Sequence, residues 1–192
     1  TVTVEKVESP DRAQTLLDQW RKAARVSVLA LPDLSGVSVF CGTGKGKALV
    51  AELFFNTYSG GWNTLLTALF SEDIKKASHN VKDLMRLLLE NGLPAEGFVF
   101  DTALAAYLLD ATAGSYDLQR LSVAYLNEEL PKPLYLDPEA FSLLGDGASA
   151  AASLNRYTEA VDALAELLTS RLKQMGFWEL YESAEQPLCR VL

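Results

Sequence analysis

The sequence predicts an α/β fold in which a mixed sheet of about five strands is flanked by helices, with strands gathered early in the chain and helices late. Three observations carry this. Short apolar runs bounded by turn residues recur between Val26 and Phe54. From Trp62 onward the apolar spacing changes to the three-and-four period of helices. Finally, 192 residues is near the size of one domain and enough to bury a substantial core.

The elements follow in order. Thr1 to Val7 alternates as an edge strand. A helix begins near Ser9-Pro10, with serine as cap and proline at the first helical position, and carries the stripe Ala13, Leu16, Leu17 and Trp20. Val26 to Leu31 and Val37 to Cys41 read as strands joined by the turn Asp33 to Gly36. Ala48 to Phe54 reads as a third strand after the glycine loop Gly42 to Gly46, giving an antiparallel meander. That loop lacks the spacing of a phosphate-binding P-loop, and Lys47 is followed by Ala48 rather than Ser or Thr, so it is read as a hairpin turn. Leu65, Leu66 and Leu69 mark the helix after Trp62. Lys75 to Ser78 is a short strand, Asn80 to Asn91 a helix ended by Gly92, and Phe98 to Phe100 a buried strand. Helices start at Thr102, Asp117, Pro138 and Ala151, and the small-residue stretch Gly145 to Ala152 reads as a flexible loop.

Composition narrows the function. A formal net charge of −8 without an obvious basic patch argues against autonomous tight binding to nucleic acid. Cys41 and Cys189 are far apart and form no CxxC or Cys/His spacing, which predicts neither a disulfide framework nor a zinc site and suits the cytoplasm. No apolar run reaches membrane-spanning length, and the start Thr-Val-Thr-Val lacks a signal-peptide pattern. The absent initial Met suggests an excised fragment, and a monomer is expected.

Three segments carry a resemblance. Phe98 to Leu126 holds Phe100-Asp101-Thr102 at a strand end, Tyr107-Leu108-Leu109, a turn with Gly114, and Asp117-x-x-x-Leu121. Ser78 to Leu93 holds Asn80-x-Lys82-x-Leu84, and Arg156 to Val161 holds Tyr157-x-x-x-Val161. Together they resemble the 3′–5′ exonuclease domain of bacterial DNA polymerase I, in a degenerate, Bacillus-type form. Glu185 to Leu188 is similar to that family's entry into its polymerase domain, while Thr1 to Lys22 and Pro131 to Ala152 match weakly. The resemblance implies a ribonuclease-H-like (DnaQ-like exonuclease) fold over 1–183. It also implies the start of a linker or helix toward a polymerase domain at 184–192.

It further implies where metal-binding carboxylates would stand: an Asp-x-Glu at Leu29 and Leu31, and one Asp each at Leu84 and Val161, with the accompanying tyrosine kept as Tyr157. Such nucleases use two divalent ions about 4 Å apart, which need oxygen ligands. Leucine and valine offer none, so no catalytic residue, metal or cofactor is expected. Asp33, Asp83 and Asp162 each adjoin a lost position. A one-residue step turns a helical side chain by about 100° and a strand side chain to the other face, which argues against these three as substitutes. Asn80 and Lys82 keep the frame around a lost Asp and are candidates for weak phosphate contact, although capping by Asn80 is the simpler account. Asp101 reads as a helix cap, and a metal or triad role for His79, the single histidine, is disfavoured.

The expected function is therefore a vestigial proofreading domain, inactive by itself. It would be a structural part of a DNA-directed DNA polymerase acting in replication and repair, with the polymerase domain as partner and DNA met through the parent enzyme. Leu29, Leu31, Leu84 and Val161 are expected to converge into a closed, dry core. Two alternatives remain: a divergent exonuclease using Asp33, Asp83 and Asp162 beside Tyr157, and a weak single-strand or protein-binding platform using Tyr58, Trp62 and Phe177.

Overall fold

Val26, Ser27, Val28 and Leu29 are all buried, as a strand must be when both faces of its sheet are covered. The computed structural model describes the backbone of residues 1–191 and the side chains of residues 1–184, and it places this run at the centre of one sheet. The strands are β1 (Val2–Lys6), β2 (Val26–Ala30), β3 (Gly36–Gly44), β4 (Lys47–Phe54), β5 (Lys76–Ser78) and β6 (Phe98–Asp101), in the order β1-β4-β3-β2-β5-β6. All six segments read as strands enter this sheet, so it has six strands rather than about five. β2, β3 and β4 form the expected antiparallel meander; β1 joins β4, and β5 joins β2 and β6, in parallel.

The glycine loop closes the β3–β4 hairpin. Lys45 and Gly46 both adopt positive φ, 56° and 72°, the geometry of a two-residue turn whose twist matches the strands.

Two cores lie on opposite faces of the sheet. On one side α1 (Pro10–Lys22), α2 (Trp62–Leu69) and α3 (Val81–Glu90) pack Leu16, Trp20, Leu66 and Leu88 against Val26, Val28 and Val39. On the other side α4 (Thr102–Leu109), α5 (Leu118–Leu121), α6 (Gly147–Gln174) and α7 (Trp178–Val191) contribute Ala105, Leu121, Leu164 and Tyr181 to a cluster with Leu29 and Phe100. Alternation along β2 explains the division, because Val26 and Val28 face one layer and Leu29 the other.

Several helix ends depart from the sequence reading. Gly147 to Ala152 is the first part of α6 rather than a flexible loop, because Asp146 accepts the Ser149 N–H at 3.0 Å and caps the helix ahead of the expected start at Ala151. The Pro138 helix is a single 3₁₀ turn, Pro138–Phe141, and the Asp117 helix is four residues long before widening into a π turn, Ser122–Leu126. The chain pattern did not set α7 apart from α6. Gly176, at φ 74°, ends α6, and the Phe177 N–H bonds the Leu172 carbonyl at 2.7 Å, which turns the chain into the last helix. Of the expected passage toward a polymerase domain at 184–192, residues 184–191 fall on the end of α7, while Leu192 and the side chains from Glu185 onward lie outside the described residues.

Candidate functional site

The site implied by the resemblance lies where the C-terminal end of β2 meets the middle of α6. Leu29 and Leu31 are 7% and 4% exposed, Val161 is 0% exposed, and all three belong to the core beneath α6. Leu31 runs just past β2, where its N–H bonds the Gly36 carbonyl at 2.9 Å, and a Cβ at Gly36 would stand 2.8 Å from Leu31 Cδ1. A side chain at Gly36 would have to displace Leu31 or the Phe54 ring. Leu84 does not join this group: it is half-buried on α3 and packs against the other core, so the expected convergence of four residues is a convergence of three.

Tyr157 stands one helical turn before Val161 and is 2% exposed. Its hydroxyl donates to the Pro131 carbonyl at 2.6 Å, and its ring meets Tyr135 edge-on at 5.3 Å. Burial, followed by the charge of Asp117, pushes its phenol above the usual range. A hydroxyl held this way acts as a structural donor.

The three neighbouring carboxylates have separate partners. Asp33 is exposed and accepts the Ser35 N–H at 3.0 Å. Asp83 is exposed on α3, with Arg86 3.8 Å away. Asp162 accepts from Ser27 Oγ at 2.9 Å and lies 3.5 Å from Arg25. Burial raises the Asp162 carboxyl above its ordinary value, against the Ser27 hydrogen bond and the Arg25 charge. Ser27 precedes Leu29 on the same strand, so Asp162 faces the start of β2 while Asp33 lies beyond its end. Among the described residues, no three His, Cys, Asp or Glu side chains are grouped so as to hold a metal ion. Among the described residues the donors a two-ion nuclease centre needs are not brought together, and Leu29, Leu31 and Val161 do not fit such a pair.

The chain around Leu84 at the start of α3 is held by other means than the expected cap. Asn80 takes a left-handed conformation, φ 54°, and its side chain makes no capping bond, so the expected capping by Asn80 is replaced. Asp101 does the capping: its carboxylate accepts from Asn80 N at 3.0 Å and Val81 N at 3.1 Å on α3, and from Ala103 N at 2.9 Å on α4. Burial raises the Asp101 carboxyl, and these backbone donors oppose the rise. The Asp101 N–H in turn donates to Tyr181 Oη at 2.8 Å, which fixes α7 to the end of β6. His79 Nδ1 sits 2.7 Å from Thr102 Oγ1, and burial pushes the imidazole down to about 4, leaving it neutral at pH 7. Asn80 and Lys82 are exposed beside this knot. Tyr58 and Trp62 pack partly against the α1–α3 core and Phe177 against the other, so the three are half-buried and do not share one face of the sheet.

Sequence reasoning gave the region 131–146 a helix start and part of a loop but no functional residue, whereas it supplies the partner of Tyr157 and walls a pocket of about 170 Å³ beside Leu31. Its prolines, paired leucines and lack of basic residues beyond Lys132 were the available signal.

Residues 57–132 match the family model described as DNA polymerase I, ribonuclease H-like domain. DNA polymerase I of Mycobacterium bovis is 31% identical over 164 residues, a match covering 83% of this chain and 18% of the relative. The chain thus spans about a fifth of the length of the curated relatives it matches. Among solved structures, the POL domain of Pol1 from M. smegmatis has a TM-score of 0.73 at 23% identity, covering 98% of this chain and 30% of that one. Escherichia coli RNase D, an exoribonuclease involved in structured RNA processing, has a TM-score of 0.70 at 16% identity, covering 98% and 50%. These structural likenesses show a shared fold, which the matched family model describes as ribonuclease H-like.

Proposed function

From the premise that the chain is a 3′–5′ exonuclease-like, ribonuclease H-like domain of the DNA polymerase I kind, we propose that it is catalytically inactive. Its role is structural, within a longer cytoplasmic enzyme that synthesises DNA in replication and repair. The observation that carries this reading is the burial of Leu29, Leu31 and Val161 in one core at the places where metal-binding carboxylates would stand. Apolar side chains there add burial, each about 1.5–3 kcal/mol when fully enclosed, where a carboxylate cluster without metal would repel itself.

Asp33, Asp83 and Asp162 do not restore the chemistry, because each is engaged apart from the others. Tyr157 cannot serve as a base at neutral pH while its phenol is held above its ordinary range. Contact with DNA comes through the parent enzyme, and the excess of acidic side chains keeps the domain itself a weak binder.

The test is excision of labelled single-stranded DNA from its 3′ end with Mg²⁺ or Mn²⁺, comparing the chain with a D33A/D83A/D162A variant. Release no faster than without protein supports the inactive reading. Release that the variant loses means that a site has been rebuilt from these carboxylates, and the proposal fails.

A further inference from the structure

The pocket beside Leu31 opens onto an apolar, acidic surface. Its floor and walls are Leu31, Pro32, Tyr135, Pro138 and Phe141, and its rim carries Asp33 and Asp137. A second hollow of about 260 Å³ shares Asp137 and adds Glu139, Leu144 and Asp146. Around them Leu136 is 52% exposed, Phe141 37%, Leu143 105% and Leu144 100%. Soluble chains rarely leave adjacent large apolar side chains fully in water without a use for them.

The segment presenting these leucines is a built turn. Asp137 Oδ1 accepts the Glu139 N–H at 3.0 Å, Ser142 Oγ donates to the Glu139 carbonyl at 2.8 Å, and the Gly145 N–H bonds the Ser142 carbonyl at 3.0 Å. Gly145 is required there, since a Cβ would lie 2.2 Å from the Glu139 carbonyl oxygen. Phe141 is braced from below by Phe54, ring to ring at 5.7 Å. The leucines are thus held outward by a packed turn.

Charge selects the partner. Residues 133–155 contain Asp137, Glu139 and Asp146 and no Lys, Arg or His, and Asp33 extends the same sign across the pocket. Hydrogen bonds from Ser149 hold the Asp146 carboxyl below its ordinary value, so it is ionised at neutral pH. Such a face repels phosphate and suits apolar side chains flanked by Lys or Arg. We propose that this face docks a protein segment of that composition, one apolar side chain entering the pocket beside Leu31, and that the segment belongs to the same parent polypeptide outside residues 1–192. The matched relatives are long enough to supply it, since this chain covers 18% of their length. The inference rests on the structural reading above and gives that bracing role a surface.

The experiment is hydrogen–deuterium exchange of residues 134–146 in the full-length parent and in the 192-residue chain, repeated with L143S/L144S in both. The substituted side chains touch little of the fold, so an unchanged melting temperature of the variant chain checks that it remains folded. Exchange at least about tenfold slower in the parent, lost in the double variant and weakened by E139Q and by high salt, is the expected result. Equal exchange in parent and isolated chain overturns the proposal, as does slowing that the double variant leaves intact. Slowing in the isolated chain that grows with its concentration assigns the face to a second copy and also overturns it. The excision assay reads the inactive role separately: an active parent with a protected turn removes that role and leaves this surface standing.

Discussion

Asp162 Oδ1 accepts a hydrogen bond from Ser27 Oγ at 2.9 Å, joining the middle of the longest helix to the start of the central strand. Ser27 is fully buried, so its hydroxyl depends on this acceptor. Replacing Asp162 with Ala leaves that hydroxyl unpaired and is expected to cost about 1–3 kcal/mol in a urea melt, while Asn retains most of the stability. Because burial raises the folded carboxyl above its ordinary 3.8, its contribution is fully present below that value and is lost as pH rises through the raised one. The D162N protein should lack that decline. An identical slope in both proteins would show that Asp162 titrates normally.

Tyr157 gives the sharpest contrast between an active tyrosine and a structural one. Tyr157→Phe removes one hydrogen bond to the Pro131 carbonyl, and a loss of about 0.5–1.5 kcal/mol is expected with no change in excision above the protein-free rate. Excision present in the parent sequence and abolished by this change would contradict the structural role.

Divalent ions should leave stability unchanged. Anything that binds the native state alone raises the melting temperature by mass action. With apolar residues at Leu29, Leu31 and Val161 and no grouped ligands among the described residues, millimolar Mn²⁺ is expected to shift the melting temperature by less than about 1 °C. A rise of several degrees, abolished by D33A/D83A/D162A, would reveal a two-ion site.

Much of the fold was legible because strand and helix periods are local properties of the chain. The antiparallel meander, the Gly42 to Gly46 hairpin and the end of α3 at Gly92 all follow from turn chemistry that a few residues determine. The helix starts were harder, because caps come from distant residues. Asn80 has the side chain of a cap, yet Asp101, from another strand, takes the role by bonding two helices at once. Gly147 to Ala152 looked like a loop because its small residues carry no apolar stripe, whereas Asp146 and the packing of Ala150 and Leu154 make it helix. The positions of the candidate site came from the family resemblance rather than from any local pattern, and the resemblance carries no packing: that Leu84 turns to the other core depends on which sheet face α3 covers.

Lys76 sets the last prediction. It is fully buried on β5, with its ammonium 2.6 Å from the Ile74 carbonyl, 3.0 Å from that of Ser71, and over the rings of Phe98 and Phe70 at 5.3 and 5.9 Å. Gly97, at φ 78°, makes the room, since a Cβ there would come within 2.6 Å of Lys76 Nζ and 2.3 Å of the Ile74 oxygen. Burial, and then the charge of Lys75, pushes the amine down from 10.5 to about 7, against the opposite pull of Glu96. The unfolded chain therefore binds this proton more tightly than the native one between about pH 7 and 10.5, and native stability falls as pH drops through that window. The shift sets a ceiling of roughly 5 kcal/mol, and the two carbonyls and two ring faces, which favour the ammonium, reduce the measured slope below it. Lys76→Met should remove most of the slope between pH 7 and 10, as read by urea melts at each pH. Gly97→Ala should destabilise at every pH, because it forces apart the carbonyls that hold the amine. A Lys76→Met protein with the same slope as the unaltered chain would mean that Lys76 keeps an ordinary amine's affinity for its proton inside the fold.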